Sequence, residues 1–211
     1  MSRLRYNRHN AVDHLRSQCD ALGRFIDNYG SCGIRVRREY DLFNALARAI
    51  VYQQLSGKAA ATIFARFKSL FAGDLPEAAR VSQLTMEELR GVGLSRNKAL
   101  AIKDLSEKSQ DGTLVSMRSM SRLSDQQIIE KLCQVRGIGP WTAQMLLIFN
   151  LGRPDVMPAT DLGVQKGVQS IYRMRKLPGP DQVLRRTRHL APYRSAASWY
   201  FWRAADTELL A

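Results

Sequence analysis

Residues Gln134–Gln144 read QVRGIGPWTAQ, and the reading of the whole chain turns on this stretch. Gly137 and Gly139 flank one isoleucine, Pro140 follows, and an apolar run with helical spacing begins at once. Glycine tolerates positive φ and lets another molecule's backbone come close. Proline suits the first turn of a helix, where its missing N–H has no intrahelical partner to lose. Just upstream, Ser124 and Gln127 form a capping box for a helix with Ile128, Ile129 and Leu132 on its inner side. The stretch is therefore a helix end, a tight turn and a helix start. The free N–H groups of such a turn form an anion site.

Outward from the hairpin, helix signals recur. Val12, Leu15, Cys19, Leu22 and Ile26 predict one helix over 11–28, ended by Gly30 and Gly33, with an extended or loop segment to residue 38. Leu42, Ala45, Leu46, Ala49 and Ile50 mark a helix over 39–52, and Tyr52-Gln53-Gln54 breaks its stripe. Ser56-Gly57 precedes a helix from Lys58 to Phe71, Pro76 centres a turn, and Thr85 with Glu88 forms another capping box. Gly91-Val92-Gly93 is a second Gly-x-Gly turn before a basic helix start, Ser95-Arg96-Asn97-Lys98, and the two turns suggest a duplicated helix–turn–helix. Residues 110–123 read as loop. Beyond the hairpin, helices are predicted to about Asn150 and near 163–174, 181–190 and 193–207. Strand signals are few, and the fold class is all-α.

Composition says what the anion is. The 211 residues suffice for one domain or two lobes with a real core. Hydrophobic residues make up 45% and charged ones 24%, as in ordinary globular chains. Yet 32 Lys+Arg stand against 19 Asp+Glu, a formal charge of +13. Such an excess attracts polyanions, nucleic acid above all, so the anion at the hairpin reads as a DNA phosphate. A peripheral membrane role would need a basic helix with a wholly apolar opposite face, and none is evident. The longest apolar run, Met145–Phe149, is too short to span a bilayer, and the polar N-terminus shows no signal segment. Cys19, Cys32 and Cys133 are odd in number and far apart, which argues for reduced thiols. Without zinc spacing among them, or clustering of His9, His14 and His189, neither zinc nor an iron–sulfur cluster is expected. The expected setting is the cytoplasm, associated with the nucleoid, or the nucleus in a eukaryote.

A second constellation carries chemistry. In Asp155-Val156-Met157-Pro158-Ala159-Thr160-Asp161-Leu162-Gly163, proline fixes an extended approach and Asp161 falls at a helix start. Asp is a good N-cap, and the positive helix end favours its ionised form. An ionised carboxylate is the form needed to stabilise a cationic transition state.

Together AIVYQQLSGKAA, VRGIGPWTAQM, DVMPATDLG and APYRSAASWYFW resemble the helix–hairpin–helix DNA glycosylases with a Gly/Pro-rich loop and a following aspartate. The resemblance is closest to the alkylation-repair branch, the DNA-3-methyladenine glycosylase II type, and covers about 39–207. It implies two helical lobes with an active-site cleft between them: 39–154 with the hairpin, and 1–38 plus 155–211. It implies catalysis by Asp161, an aromatic base pocket with Trp141 and Tyr193, and DNA contacts from Gly137, Gly139, Thr142, Gln53, Gln54 and Arg194. Gln54 is the candidate to fill the gap left by a flipped base. Trp141 stands where bifunctional relatives carry a Schiff-base lysine, so no lyase reaction is expected. Backbone carbonyls of Cys133, Val135 and Ile138 match the positions that hold a structural Na+ or K+. No other cofactor is expected. The β-rich N-terminal domain of larger alkylation enzymes is expected to be absent.

The implied activity is hydrolysis of the N-glycosidic bond of alkylated purines, of the 3-methyladenine and 7-methylguanine type, in double-stranded DNA by a monomer. Two alternatives stand beside it: the same scaffold acting on uracil or mismatched bases, and a non-catalytic hairpin module that only binds DNA.

Overall fold

Side chains that accept the first free N–H groups mark where the helices begin. Asn7, Asp41, Ser56, Thr85, Ser95, Ser116, Ser124 and Asp161 all cap in this way. The computed structural model describes residues 4–37, 41–72 and 74–208, and every regular element among them is helical. In chain order these are α1 (Arg8–Gln18), α2 (Asp20–Tyr29), α3 (Leu42–Tyr52), α4 (Gly57–Ser69), α5 (Ala78–Gln83), α6 (Met86–Gly91) and α7 (Arg96–Gln110). There follow α8 (Met117–Met120), α9 (Asp125–Leu132), α10 (Pro140–Phe149), α11 (Leu162–Ile171), α12 (Pro180–Thr187), a 3-10 turn (Arg188–Leu190) and α13 (Arg194–Glu208). Both predicted capping boxes form, at Thr85/Glu88 and Ser124/Gln127. The start expected at residue 39 lies outside the described residues; α3 is capped by Asp41.

The single helix expected over 11–28 is two helices. Cys19 is extended (φ −151°, ψ 102°), ending α1 and opening α2. The stripe still reads continuously because Leu15, Leu22 and Ile26 all enter one core, and periodicity cannot see one extended residue between two helices. The loop expected over 110–123 holds one further helical turn, α8, whose Met120 is buried.

The chain divides into two compact units, 1–38 with 147–211, and 39–146. The second junction therefore falls at 146/147 rather than at the expected 154/155. Backbone bonds explain the difference. Phe149 O accepts from Arg37 N–H at 2.7 Å, and Gly152 O accepts from Arg5 N–H at 3.0 Å. In the unit 39–146, α7 packs on α3, α5 and α6 around Leu46, Ile50, Leu89 and Ile102, with Phe67 and Phe71 buried beside them. In the other unit α11 lies along α13. A Cβ on Gly167 would sit 1.9 Å from Phe201 O, so only glycine permits that approach. Each fully buried aromatic or aliphatic side chain contributes about 1.5–3 kcal/mol. No helix among the described residues is long and apolar enough to cross a membrane.

Candidate functional site

The hairpin runs from Cys133, the C-cap of α9, to Pro140, the first residue of α10. Only Gly137 adopts positive φ (+76°), so the conformational demand expected of both glycines rests on the first. A Cβ there would also press on the Cβ of Ala101 in α7 at 3.3 Å. Gly139 has open space around it and precedes Pro140, and it has no side chain with which to cap α10. The N–H groups of Gly137 and Gly139 make no hydrogen bond to any described residue. Ile138 and Val135 point inward and are buried, while Trp141 is 42% exposed. An exposed tryptophan one residue past a turn of outward N–H groups is not a core residue.

Inward, the turn is fastened at three points. Ile138 N–H donates to Val135 O at 3.0 Å, and Arg136 N–H to Asp104 Oδ2 at 2.7 Å. Gly137 O accepts from Gln53 Nε2 at 2.9 Å. The same amide lies 3.5 Å from Thr142 Oγ1. Gln53 and the Thr142 hydroxyl, both expected to meet DNA, thus meet each other inside the unit, and Thr142 is buried. Gln54, next in sequence, is exposed with φ +55°, a conformation an L-residue holds only at a cost of about 1–3 kcal/mol. Lys98 Nζ donates to Val51 O (2.8 Å) and Gln53 O (2.7 Å), capping the end of α3. Burial of this ammonium group lowers its pKa.

In the other unit, Asp161 caps α11. Its Oδ1 accepts from Val164 N–H at 2.9 Å and from Trp202 Nε1–H at 2.8 Å. Trp202 is held in turn by the Phe149 ring, stacked at 5.6 Å and 28°. Gly163 makes room for this indole, since a Cβ would lie 2.8 Å from Trp202 Cδ1 and 3.1 Å from Asp161 Oδ1. The loop leading to Asp161 is pinned to one side of α13. Ser195 N–H donates to Pro154 O (2.9 Å), Ser195 Oγ accepts from Val156 N–H (3.0 Å), and Ser198 Oγ donates to Val156 O (3.2 Å).

Arg194, expected on DNA, makes a two-pronged ion pair with Asp155: Nε to Oδ1 at 2.7 Å and Nη2 to Oδ2 at 2.8 Å. Burial alone would raise the Asp155 pKa, but the hydrogen bonds and charge of Arg194 outweigh it and hold the carboxyl below its usual value. Tyr193 is half-buried and packs on Tyr6 (centroids 5.8 Å) and edge-on to His14 (5.3 Å). Of the C-terminal aromatic cluster, Tyr200 is core, with its hydroxyl on Gly30 O at 3.0 Å, while Trp202 serves Asp161.

Reading the sequence missed Trp202, Lys98 and Asp104 as members of these sites. A signal existed for the first: Gly163 and Gly167 lie four apart on α11, the spacing of a helix face closely approached by a neighbour. Nothing in the sequence signals the other two. No group of three or more His, Cys, Asp or Glu among the described residues is arranged to hold a metal ion.

Comparison with known proteins shows the family. Residues 47–192 match the HhH-GPD superfamily of base excision DNA repair proteins. DNA-3-methyladenine glycosylase 1 of Schizosaccharomyces pombe is 40% identical over 164 residues, covering 77% of this chain and 72% of that protein. The solved 3-methyladenine DNA glycosylase from the same yeast, in complex with abasic DNA, superposes with a TM-score of 0.84 at 36% identity over 92% of this chain and 95% of that one. The DNA-3-methyladenine glycosidase of Bacillus halodurans gives 0.86 at 32% identity over 95% and 91%. The glycine hairpin and the aspartate at the head of α11 are parts of a chain that belongs to the HhH-GPD superfamily of base excision DNA repair proteins.

Proposed function

We propose that this protein is a monofunctional DNA glycosylase that, as a monomer, removes alkylated purines of the 3-methyladenine and 7-methylguanine type from double-stranded DNA. The observation that carries the reading is Asp161 Oδ1, held at a helix start by two N–H donors. Such bonds set the direction of the carboxylate before any substrate arrives.

The target nucleotide leaves the stack before its glycosidic bond can be reached, at a cost of a few kcal/mol that is least for a damaged base. Phosphate held by the N–H groups of Gly137 and Gly139 offsets this cost, and exposed Gln54 occupies the gap. An alkylated purine is cationic and stacks on the exposed face of Trp141 as a cation–π pair. The C1′–N bond breaks with its electron pair passing to the purine, which departs neutral and needs no acid. The positive charge left on the sugar is stabilised by Asp161, which also orients the attacking water and takes up its proton. No amine stands at position 141, so no imine links enzyme to sugar.

The carbonyls of Cys133, Val135 and Ile138 fit a monovalent cation. They follow the C-terminal end of α9, where carbonyls carry partial negative charge, and Val135 O keeps a lone pair beyond the one taken by Ile138 N–H. The cation would stiffen the turn; it supplies no chemistry to bond cleavage.

The test is chromatography of bases freed from methylated DNA. Release of 3-methyladenine by the wild-type protein and none by Asp161→Asn is expected. Release of uracil from a uracil-containing duplex instead, or base release surviving in Asp161→Asn, overturns the reading.

A further inference from the structure

Lys98 belongs to the basic start of α7 and by composition alone would be counted among the DNA contacts. Its ammonium group is instead directed inward onto Val51 O and Gln53 O. Three residues of α7 at three-residue spacing, Lys98, Ala101 and Asp104, share one helix face, and each meets the hairpin or the segment that braces it. Asp104 takes the Arg136 N–H, with Lys108 paired to its Oδ1; Ala101 lies against Gly137; Lys98 fixes the main chain of Gln53, whose amide holds Gly137 O. The peptide unit joining Gly137 to Ile138 is thereby pinned at both ends, its oxygen by Gln53 and its N–H by Val135 O. A peptide plane pinned in this way sets the directions of the N–H groups on either side, those of Gly137 and Gly139.

We infer that Lys98 is a positioning residue, which orients the phosphate-binding N–H groups of the hairpin through Gln53 and does not itself bind DNA. The inference rests on the proposed phosphate grip and deepens it. A lysine on phosphate and a lysine behind the hairpin differ in their salt dependence. Each phosphate contact contributes about 0.9 to the slope of log affinity against log salt.

The experiment measures dissociation constants of the whole chain for an abasic-site duplex across a salt series. Wild type, Lys98→Met, Gln53→Met and the double variant are compared, with melting curves for each. Lys98→Met should bind about tenfold more weakly with an unchanged slope, as when hydrogen bonds to a charged group are lost. The double variant should bind no more weakly than the weaker single one, because both remove one linkage. A slope reduced by about one contact, or a double variant weaker by the product of the two single losses, overturns the inference. If Lys98→Met melts below the assay temperature, Gln53→Met, which keeps both lysine bonds, carries the test; wild-type affinity in that variant overturns it. Failure of the wild-type protein to bind the duplex sinks the proposed grip instead, so the two failures are distinct.

Discussion

The starts of α10 and α11 use one physical property in opposite ways. Every helix begins with unpaired N–H groups and a partial positive charge. At α10 the preceding residue is Gly139, which offers no side chain, and the N–H groups of Gly137 and Gly139 make no bond to any described residue; on the proposed function they receive an anion from outside. At α11 the acceptor is built in: Asp161 takes the Val164 N–H and is steadied by Trp202. Each arrangement is laid on one face of a 15-residue helix, α7 for the hairpin and α13 for the aspartate loop. The first suits a site that grips, the second a site that must hold a charge in one direction. On the proposed function, binding and chemistry are then separable by mutation.

The sharpest way to break the comparison is Asp161→Asn, which should lower base release by about a thousandfold while affinity for an abasic-site duplex stays within about threefold of wild type. Comparable losses in both measurements would mean that the two helix starts do not divide the work. Next in size is Gly139→Asp, which gives α10 a start like that of α11. Open space surrounds position 139, so the protein should fold and melt at or above the wild-type temperature. DNA affinity, read by fluorescence anisotropy, should fall about a hundredfold, because a carboxylate beside the N–H groups of Gly137 and Gly139 repels phosphate.

Trp202→Phe keeps the stacking on Phe149 but removes the indole N–H from Asp161. Single-turnover base release should drop about tenfold with DNA affinity unchanged. An equal loss of affinity would place Trp202 in binding rather than in orienting the carboxylate. The smallest effect concerns the anchor of the aspartate loop. Arg194→Met should destabilise the fold by about 1–2 kcal/mol in urea titration and leave the salt slope of DNA binding intact. The pH dependence has a definite sign. Asp155 has its folded pKa depressed, so its pairing stabilises the fold above the usual carboxylate value. That contribution should be lost as pH falls below about 4, and Asp155→Asn should flatten the loss.

How much was legible depends on sequence distance. The hairpin and Asp161 are written in runs of a few residues, where glycine, proline and an N-cap speak through local backbone rules. The helices were legible for the same reason, and the break at Cys19 was not, because a stripe of apolar residues serves two helices as well as one. Gln53 and Gly137 lie 84 residues apart, and Asp161 and Trp202 lie 41 apart. No local pattern reports such a partnership. Gln53 and Arg194 were expected on DNA because the segments that hold them resemble those of the family, and a resemblance between short segments does not report a partner distant in sequence. The fold instead turns both inward.

By itself the sequence determined an all-helical chain, a strong excess of positive charge, a glycine turn between two helices and an aspartate at the head of a helix. Each of these follows from backbone sterics, net charge or capping, which act within a turn or over the whole composition. Tertiary structure decided which polar groups remain outward. Lys98, Gln53, Thr142 and Arg194 are matched to carbonyl, hydroxyl or carboxylate partners by packing, while Trp141 and Gln54 are left exposed. That decision is made by long-range contacts, because a buried polar group without a partner costs about 1–3 kcal/mol and the chain folds so as to avoid it.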